Sequence, residues 1–143
     1  MQATAEYNRD FYAWLIANAK LLRVNDFSKL DTENIAEELE AMGKREKREV
    51  ISRLSVLLTH LLKWQFQSHR RSRSWKNTIA TQRMDILALL EDSPSLRHEI
   101  AEKIATAYEK AKLGAEIETG MEKFPETCPF TLEEMLMRDF FPE

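Results

Sequence analysis

The chain has 143 residues, 43% hydrophobic and 31% charged, with 21 Lys+Arg against 24 Asp+Glu and a formal net charge of -3. That is enough apolar material for one core and too much for a disordered chain. Three Gly and four Pro are too few for a β-sandwich or barrel, and a lone cysteine, Cys128, excludes an internal disulfide or a multi-cysteine zinc site.

Phe11, Leu15, Asn18, Ala19 and Leu22 fall at helical spacing, with Tyr12 and Ile16 widening the stripe, and predict an amphipathic helix over about 8–24. A short connection, Asp26 to Leu30, leads to Asp31 or Thr32 as the cap of a second helix. Ile35, Ala36, Leu39 and Met42 form its inward stripe, while Glu33, Glu37, Glu38 and Glu40 make the other faces acidic. Gly43 either breaks that helix or sits within a continuous one at a cost of about 1 kcal/mol. After the charged run Lys44 to Glu49, the residues Val50, Leu54, Leu57, Leu58, Leu61 and Leu62 predict a central helix ending near Trp64 or Phe66. The segment from Gln67 to Ser74 has no apolar residue. Trp75, Ile79, Ile86, Leu87 and Leu90 then mark a fourth helix capped by Ser74. Ser93-Pro94 is a start signal for a fifth, with Leu96, Ile100, Ile104, Ala107, Tyr108 and Ala111 as its stripe. Thr131-Leu132-Glu133-Glu134 has capping-box spacing and opens a short last helix. The fold expected is all-α: a single-domain bundle over 1–143, of about five helices with a short C-terminal one.

No apolar run approaches the ~20 residues that span a bilayer. The opening Met-Gln-Ala-Thr-Ala-Glu lacks the basic-then-apolar order of a signal peptide, so no membrane association and a cytoplasmic location are expected.

The mild net charge hides an uneven distribution. Residues 1–49 carry net -2 and residues 85–143 net -8, whereas the 35 residues between, 50–84, carry Arg53, Lys63, Arg70, Arg71, Arg73, Lys76 and Arg83 and no Asp or Glu. Such a +7 centre either meets anions from outside or is neutralised by its own flanks on folding.

The order Asp10-Phe11-Tyr12-x-Trp14, Glu37-Glu38-x-Glu40-x-Met42-Gly43, His60-Leu61-Leu62-Lys63-Trp64 and Arg70-Arg71-Ser72-Arg73-Ser74-Trp75 resembles a bacterial family. Asp92-Ser93-Pro94-Ser95-Leu96 and Phe124-Pro125-x-x-Cys128-Pro129 extend the likeness over nearly the whole chain. The family is domain of unknown function twenty-nine. The resemblance implies an all-helical single domain; it implies no activity and supplies no catalytic or binding residues.

Three constellations bear on chemistry. Between Lys63 and Lys76, five cations (Lys63, Arg70, Arg71, Arg73 and Lys76) interleave with Trp64, Phe66, Trp75, Gln65 and Gln67. Cations meet phosphates and flat rings meet bases, so this is the pattern of an RNA or single-strand surface. The competing reading packs the tryptophans into the core and pairs the arginines with Glu37, Glu38 and Glu40. Arg53 and His60 have the Arg-x(4–6)-His spacing that resembles metal-independent ribonucleases of the higher-eukaryote-and-prokaryote nucleotide-binding (HEPN) type. There His60 would be the general acid or base and Arg53 would steady the phosphate. Leu54 departs from that pattern, where a polar residue often follows the Arg, and a hydrogen-bonded boundary histidine is the plainer reading of His60. A metal site from Glu37, Glu38, Glu40 and His60 lacks any Glu-x-x-His pair, and His98-Glu99 lacks the second histidine of a zincin, so no metal is expected.

Cys128 has no basic neighbour to activate it. Neither a nucleophile elbow nor a Gly-rich phosphate loop is present, so no cofactor is expected. The apolar end (Phe130, Leu132, Met135, Leu136, Phe140, Phe141) most simply closes the bundle; alternatively it docks on a partner. The expected function is a binding or regulatory module whose basic surface takes a nucleic acid or protein partner. An RNase using His60 and Arg53, and a protein scaffold or homo-oligomer, stand as the alternatives.

Overall fold

Asp10 divides the first helix that the spacing predicts as continuous. In the computed structural model, which describes residues 2–143 and side chains from Glu6 onward, Gln2–Arg9 (α1) and Phe11–Arg23 (α2) are separate helices. The Asp10 backbone is non-helical (φ -144°) and its carboxylate accepts the Ala13 N–H at 3.1 Å, an N-cap that outweighs continuity. Asn25, at φ 60°, ends α2 in the left-handed region that asparagine tolerates.

The chain divides into two compact units, the residues up to Arg45 and Glu46–Glu143. The boundary falls inside α3 (Thr32–Phe66), which continues unbroken through Gly43.

In the first unit, Trp14 is the buried anchor at 1% exposure. Its indole N–H donates to Asp31 Oδ2 at 2.9 Å, and its ring lies 4.8 Å from Tyr7 and 5.6 Å from Phe11. Asn18, also buried, donates to the Trp14 carbonyl and accepts the Asp31 N–H, tying α2 to the start of α3. These bonds choose the inward face of α2. Of the residues that supplied its apolar stripe, Asn18 is buried while Phe11, Tyr12, Leu15, Ile16 and Leu22 are exposed, Phe11 at the edge of the Trp14 cluster; Leu39 and Met42, which the spacing placed inward on α3, are exposed too. Periodicity identifies an apolar face but does not show what covers it.

The second unit holds the large core. Val50, Leu54, Leu57, Leu58, Leu61 and Leu62 of α3 are fully buried, as the pattern predicts. They pack with Ile79, Ile86 and Leu90 of α4 (Arg73–Asp92) and with Ile100, Tyr108 and three alanines of α5 (Leu96–Thr119). Each such burial is worth roughly 1.5–3 kcal/mol for a Leu or Ile. Ala107, Ala111 and Ala115 recur every four residues, and that small-sided stripe lets α3 come close. Ser55 Oγ donates to the Ala107 carbonyl at 3.2 Å, and Thr59 Oγ1 reaches the Ala111 carbonyl at 3.3 Å.

Helix starts differ from expectation by one or two residues. Ser72, not Ser74, caps α4 by accepting the Trp75 N–H. Ser93-Pro94 forms the turn before α5, with Leu96 N–H bonded to Ser93 O at 3.0 Å. The capping box of α6 (Leu132–Leu136) forms as read, with Thr131 and Glu134 bonded reciprocally.

Phe124, Phe130, Met135 and Leu136 are buried and Phe140 and Phe141 pack on the core, so the apolar C-terminal segment closes this unit. What secures it is Arg83, at the position of the α4 core stripe between Ile79 and Ile86 and only 3% exposed. Its Nε donates to Met135 O at 2.7 Å, and its two terminal nitrogens reach the carbonyls of Glu134, Arg138 and Phe140. Removing the guanidinium leaves buried acceptors without donors. Arg83→Met is expected to lose about 3–5 kcal/mol of stability in urea denaturation. Arg83→Lys is expected to recover little of this, because one ammonium cannot reach four carbonyls in this fork geometry.

Candidate anion-binding face

The polar stretch after α3 folds as a tight corner. Gln67 N–H closes α3 on Lys63 O, a 3-10 turn covers Ser68–Arg70, and Ser72 starts α4. This corner sorts the five predicted cations into two groups. Arg70, Arg73 and Lys76 are exposed. Lys63 and Arg71 are used inside the fold. Lys63 is 8% exposed, its ammonium 2.9 Å from Glu118 Oε1 and 4.7 Å from the centre of the Trp75 ring. Arg71 donates to the Trp64 carbonyl at 2.8 Å and to backbone oxygens of Pro142 and Glu143, with its guanidinium over the Trp64 ring.

The interleaved aromatics are packing residues. Trp64 lies 4.9 Å from Phe141, Phe66 meets Phe124 edge-on at 5.5 Å, and Trp75 sits beneath Lys63. Sequence spacing had placed both tryptophans on core stripes, and they are half-buried there.

Among the described residues of the second unit the side chains of Arg70 and Arg73 make no hydrogen bond or ion pair, and the Lys76 ammonium lies over the Phe141 ring at 5.6 Å. Arg73 is the first residue of α4, and the first turn of that helix has no acidic residue. Cations at this end oppose the helix dipole by a few tenths of a kcal/mol each, since helix N-termini favour anions. Ser74, Asn77, Thr78, Thr81 and Gln82 line a shallow concavity beside Arg73, adding uncharged hydrogen-bonding groups.

Arg53 and His60 are not brought together. Two helical turns place them about 10 Å apart along α3. Arg53 is engaged by carboxylates, at 2.9 Å from Asp85 and 3.3 Å from Glu49. His60 is half-buried, and its Nδ1–H donates to the Val56 carbonyl at 3.0 Å. Burial pulls its pKa below the ordinary value and Lys63 adds to this, against the Val56 bond and Glu118. His60 is thus half-buried and hydrogen-bonded to the backbone, with burial disfavouring its charged form.

The other candidates take structural places. Burial raises the Cys128 thiol, which bonds to the Phe130 carbonyl, so no thiolate is favoured. Glu38 accepts the Tyr7 hydroxyl at 2.6 Å, and Glu37 and Glu40 are exposed. Among the described residues no group of three His, Cys, Asp or Glu is placed to hold a metal, and no helix is long and apolar enough to cross a membrane. The sequence reading passed over Arg83. Its signal was there: a single arginine at the core position of a stripe that otherwise reads Ile79, Ile86, Leu90.

The model of the family described as domain of unknown function DUF29 matches residues 6–141, nearly the whole chain, and the chain belongs to that family. Comparison with curated proteins and with solved structures gives no match.

The lowered pKa of His60 has a definite sign. The unfolded histidine takes its proton near pH 6.5, before the folded one does, so the stability this residue contributes is full above pH 6.5 and declines as pH falls toward the folded pKa. His60→Asn keeps a donor for Val56 without the titration. The stability gap between wild type and this variant, measured by urea unfolding, is expected to narrow in favour of the variant from pH 7.5 to 5.5. A constant gap contradicts the assignment.

Proposed function

We propose that this member of the family is a binding module that takes the phosphate backbone of a nucleic acid along the first turns of α4. Arg70, Arg73 and Lys76 are its contacts. The observation that supports this most directly is the exposure of three cations at a helix N-terminus with no acidic residue in its first turn. Local electrostatics are unfavourable there in the free protein and become favourable once an anion arrives. Such a conflict between local preference and fold is most often met at functional positions.

The hydroxyl and amide groups beside Arg73 suit the same role, because Ser, Thr and Asn commonly share phosphate contacts with Arg and Lys. With Trp64, Phe66 and Trp75 committed to packing, no stacking platform accompanies the cations. The module then binds with little dependence on base sequence. Two further points favour binding over catalysis: Arg53 is neutralised by Asp85 and Glu49, and Nδ1 of His60 is held by a backbone carbonyl.

Fluorescence anisotropy of labelled oligonucleotides at rising salt tests the proposal. Three phosphate contacts give a slope of log K against log[salt] of about -2 on a single strand and about -3 on a duplex. Arg70→Ala/Arg73→Ala/Lys76→Ala is expected to abolish binding with unchanged helicity. Lys63→Ala is expected to lower stability and leave the slope in place. No affinity for RNA or DNA at about 20 mM salt overturns the reading.

A further inference from the structure

The outward face of α4 is unlike that of an ordinary solvated helix. At 100° per residue Arg73, Asn77, Ala80 and Met84 fall within about 60° of one another, on the far side from Ile79 and Ile86. All four are exposed, and so are Lys76 and Thr81, which border this stripe on either side. A solvated face usually carries charge along its length, as α5 does with Glu102, Glu109 and Lys110. Between Asn77 and Ala88 the outward side of α4 carries none. Arg83 is buried, and Asp85, at the margin, is held by Arg53 at 2.9 Å.

Charge is sorted along the helix axis instead. Arg73 and Lys76 stand in the first turn with Arg70 just before it. Glu91 and Asp92 close the last turn, about 27 Å from Arg73. Between the two ends lie short or uncharged side chains, Asn77, Ala80, Thr81 and Met84, that let another molecule come close to the helix backbone. The partner that fits has negative charge at the basic end and an uncharged, helix-sized channel beside it.

We propose that the nucleic acid held by Arg70, Arg73 and Lys76 is duplex DNA, with about the first three turns of α4 seated in the major groove. This rests on the reading of those cations as phosphate contacts and specifies their partner. The B-form major groove is about 12 Å wide, and a helix with its side chains is about 10–12 Å across. Asn77, Ala80 and Thr81 keep α4 at the narrow end of that range. The cations reach phosphates at the groove's rim, while the uncharged stripe faces base edges whose donors, acceptors and methyls are neutral. Glu91 and Asp92 are repelled by the DNA backbone, so α4 enters by its N-terminal end, the end by which recognition helices commonly contact base edges. Apart from the cations, Asn77 is the one stripe residue with an amide to bond a base at two points, so fit sets the preference more than base sequence does. A single strand has no groove for the stripe, and Trp64, Phe66 and Trp75 are packed away from its bases. The deep, narrow major groove of duplex RNA does not admit a helix.

The test compares three probes at one salt concentration: a DNA duplex of about 20 base pairs, one of its strands, and the RNA duplex of the same sequence. Duplex DNA is expected to bind about tenfold tighter than either of the others. Ala80→Trp puts bulk on the exposed stripe and adds no charge. It is expected to weaken duplex binding about tenfold and to leave helicity, the salt slope and single-strand affinity unchanged. On a duplex saturated with protein, guanine N7 in the major groove is expected to be protected from methylation by dimethyl sulfate. Equal affinity for strand and duplex overturns the proposal and leaves the phosphate-binding reading standing. So does an RNA duplex bound as tightly as DNA, a duplex indifferent to Ala80→Trp, or an unprotected N7. No binding to any probe overturns both. A wild-type dimer that Ala80→Trp makes monomeric, by sedimentation, gives the stripe to a second copy and overturns the proposal too.

Discussion

A guanidinium held among backbone carbonyls governs the larger unit of this protein. Arg83 sits where a helix core stripe calls for an aliphatic side chain, and it is tolerated because the end of α6 and the residues after it present backbone carbonyls to its guanidinium. The arrangement serves both parties. The negative end of a short helix gains a cation, and a buried charge gains acceptors for its donors. Burial still pulls the arginine's pKa down, with Asp139 opposing, yet the group stays charged because arginine does not deprotonate in proteins. Phe141 then lies 5.5 Å from that guanidinium and 4.9 Å from Trp64, whose ring also carries the Arg71 guanidinium. From Arg83, through the C-terminal phenylalanines, one connected set of contacts reaches the corner where α3 gives way to α4.

That corner resolves the charge asymmetry of the sequence. Seven cations without an acid in 35 residues posed a choice between internal neutralisation and an outward surface. The fold does both. Arg53 and Lys63 pair with carboxylates of their own unit, and Arg71 and Arg83 are hydrogen-bonded by backbone oxygens. Arg70, Arg73 and Lys76 are left facing solvent at the start of α4.

Much of the fold was legible because it rests on local rules. The aliphatic run Val50 to Leu62 and the capping box at Thr131 each follow from spacing and from which residues satisfy free backbone groups. What was not legible depends on partners distant in sequence. Ser72 takes the cap in place of Ser74, and Asp10 interrupts a helix that spacing makes continuous, through a backbone geometry that composition does not encode. Trp14 and Asn18 turned inward because Asp31, thirteen or more residues away, offered both a carboxylate and an N–H. Of the five cations in the candidate surface, sequence gave no means of separating Lys63 and Arg71 from the rest. The sorting depends on Glu118 and on the chain end at Pro142 and Glu143, about fifty and seventy residues onward.

The acceptors that hold Arg83 belong to the main chain, and every residue type carries the same carbonyl. The bond therefore constrains one side only. Position 83 must be arginine, while 134, 135, 138 and 140 are free, as far as this contact is concerned, to exchange their side chains. Sequence drift among relatives would leave an arginine that varies with nothing, a contact invisible to any search for paired substitutions.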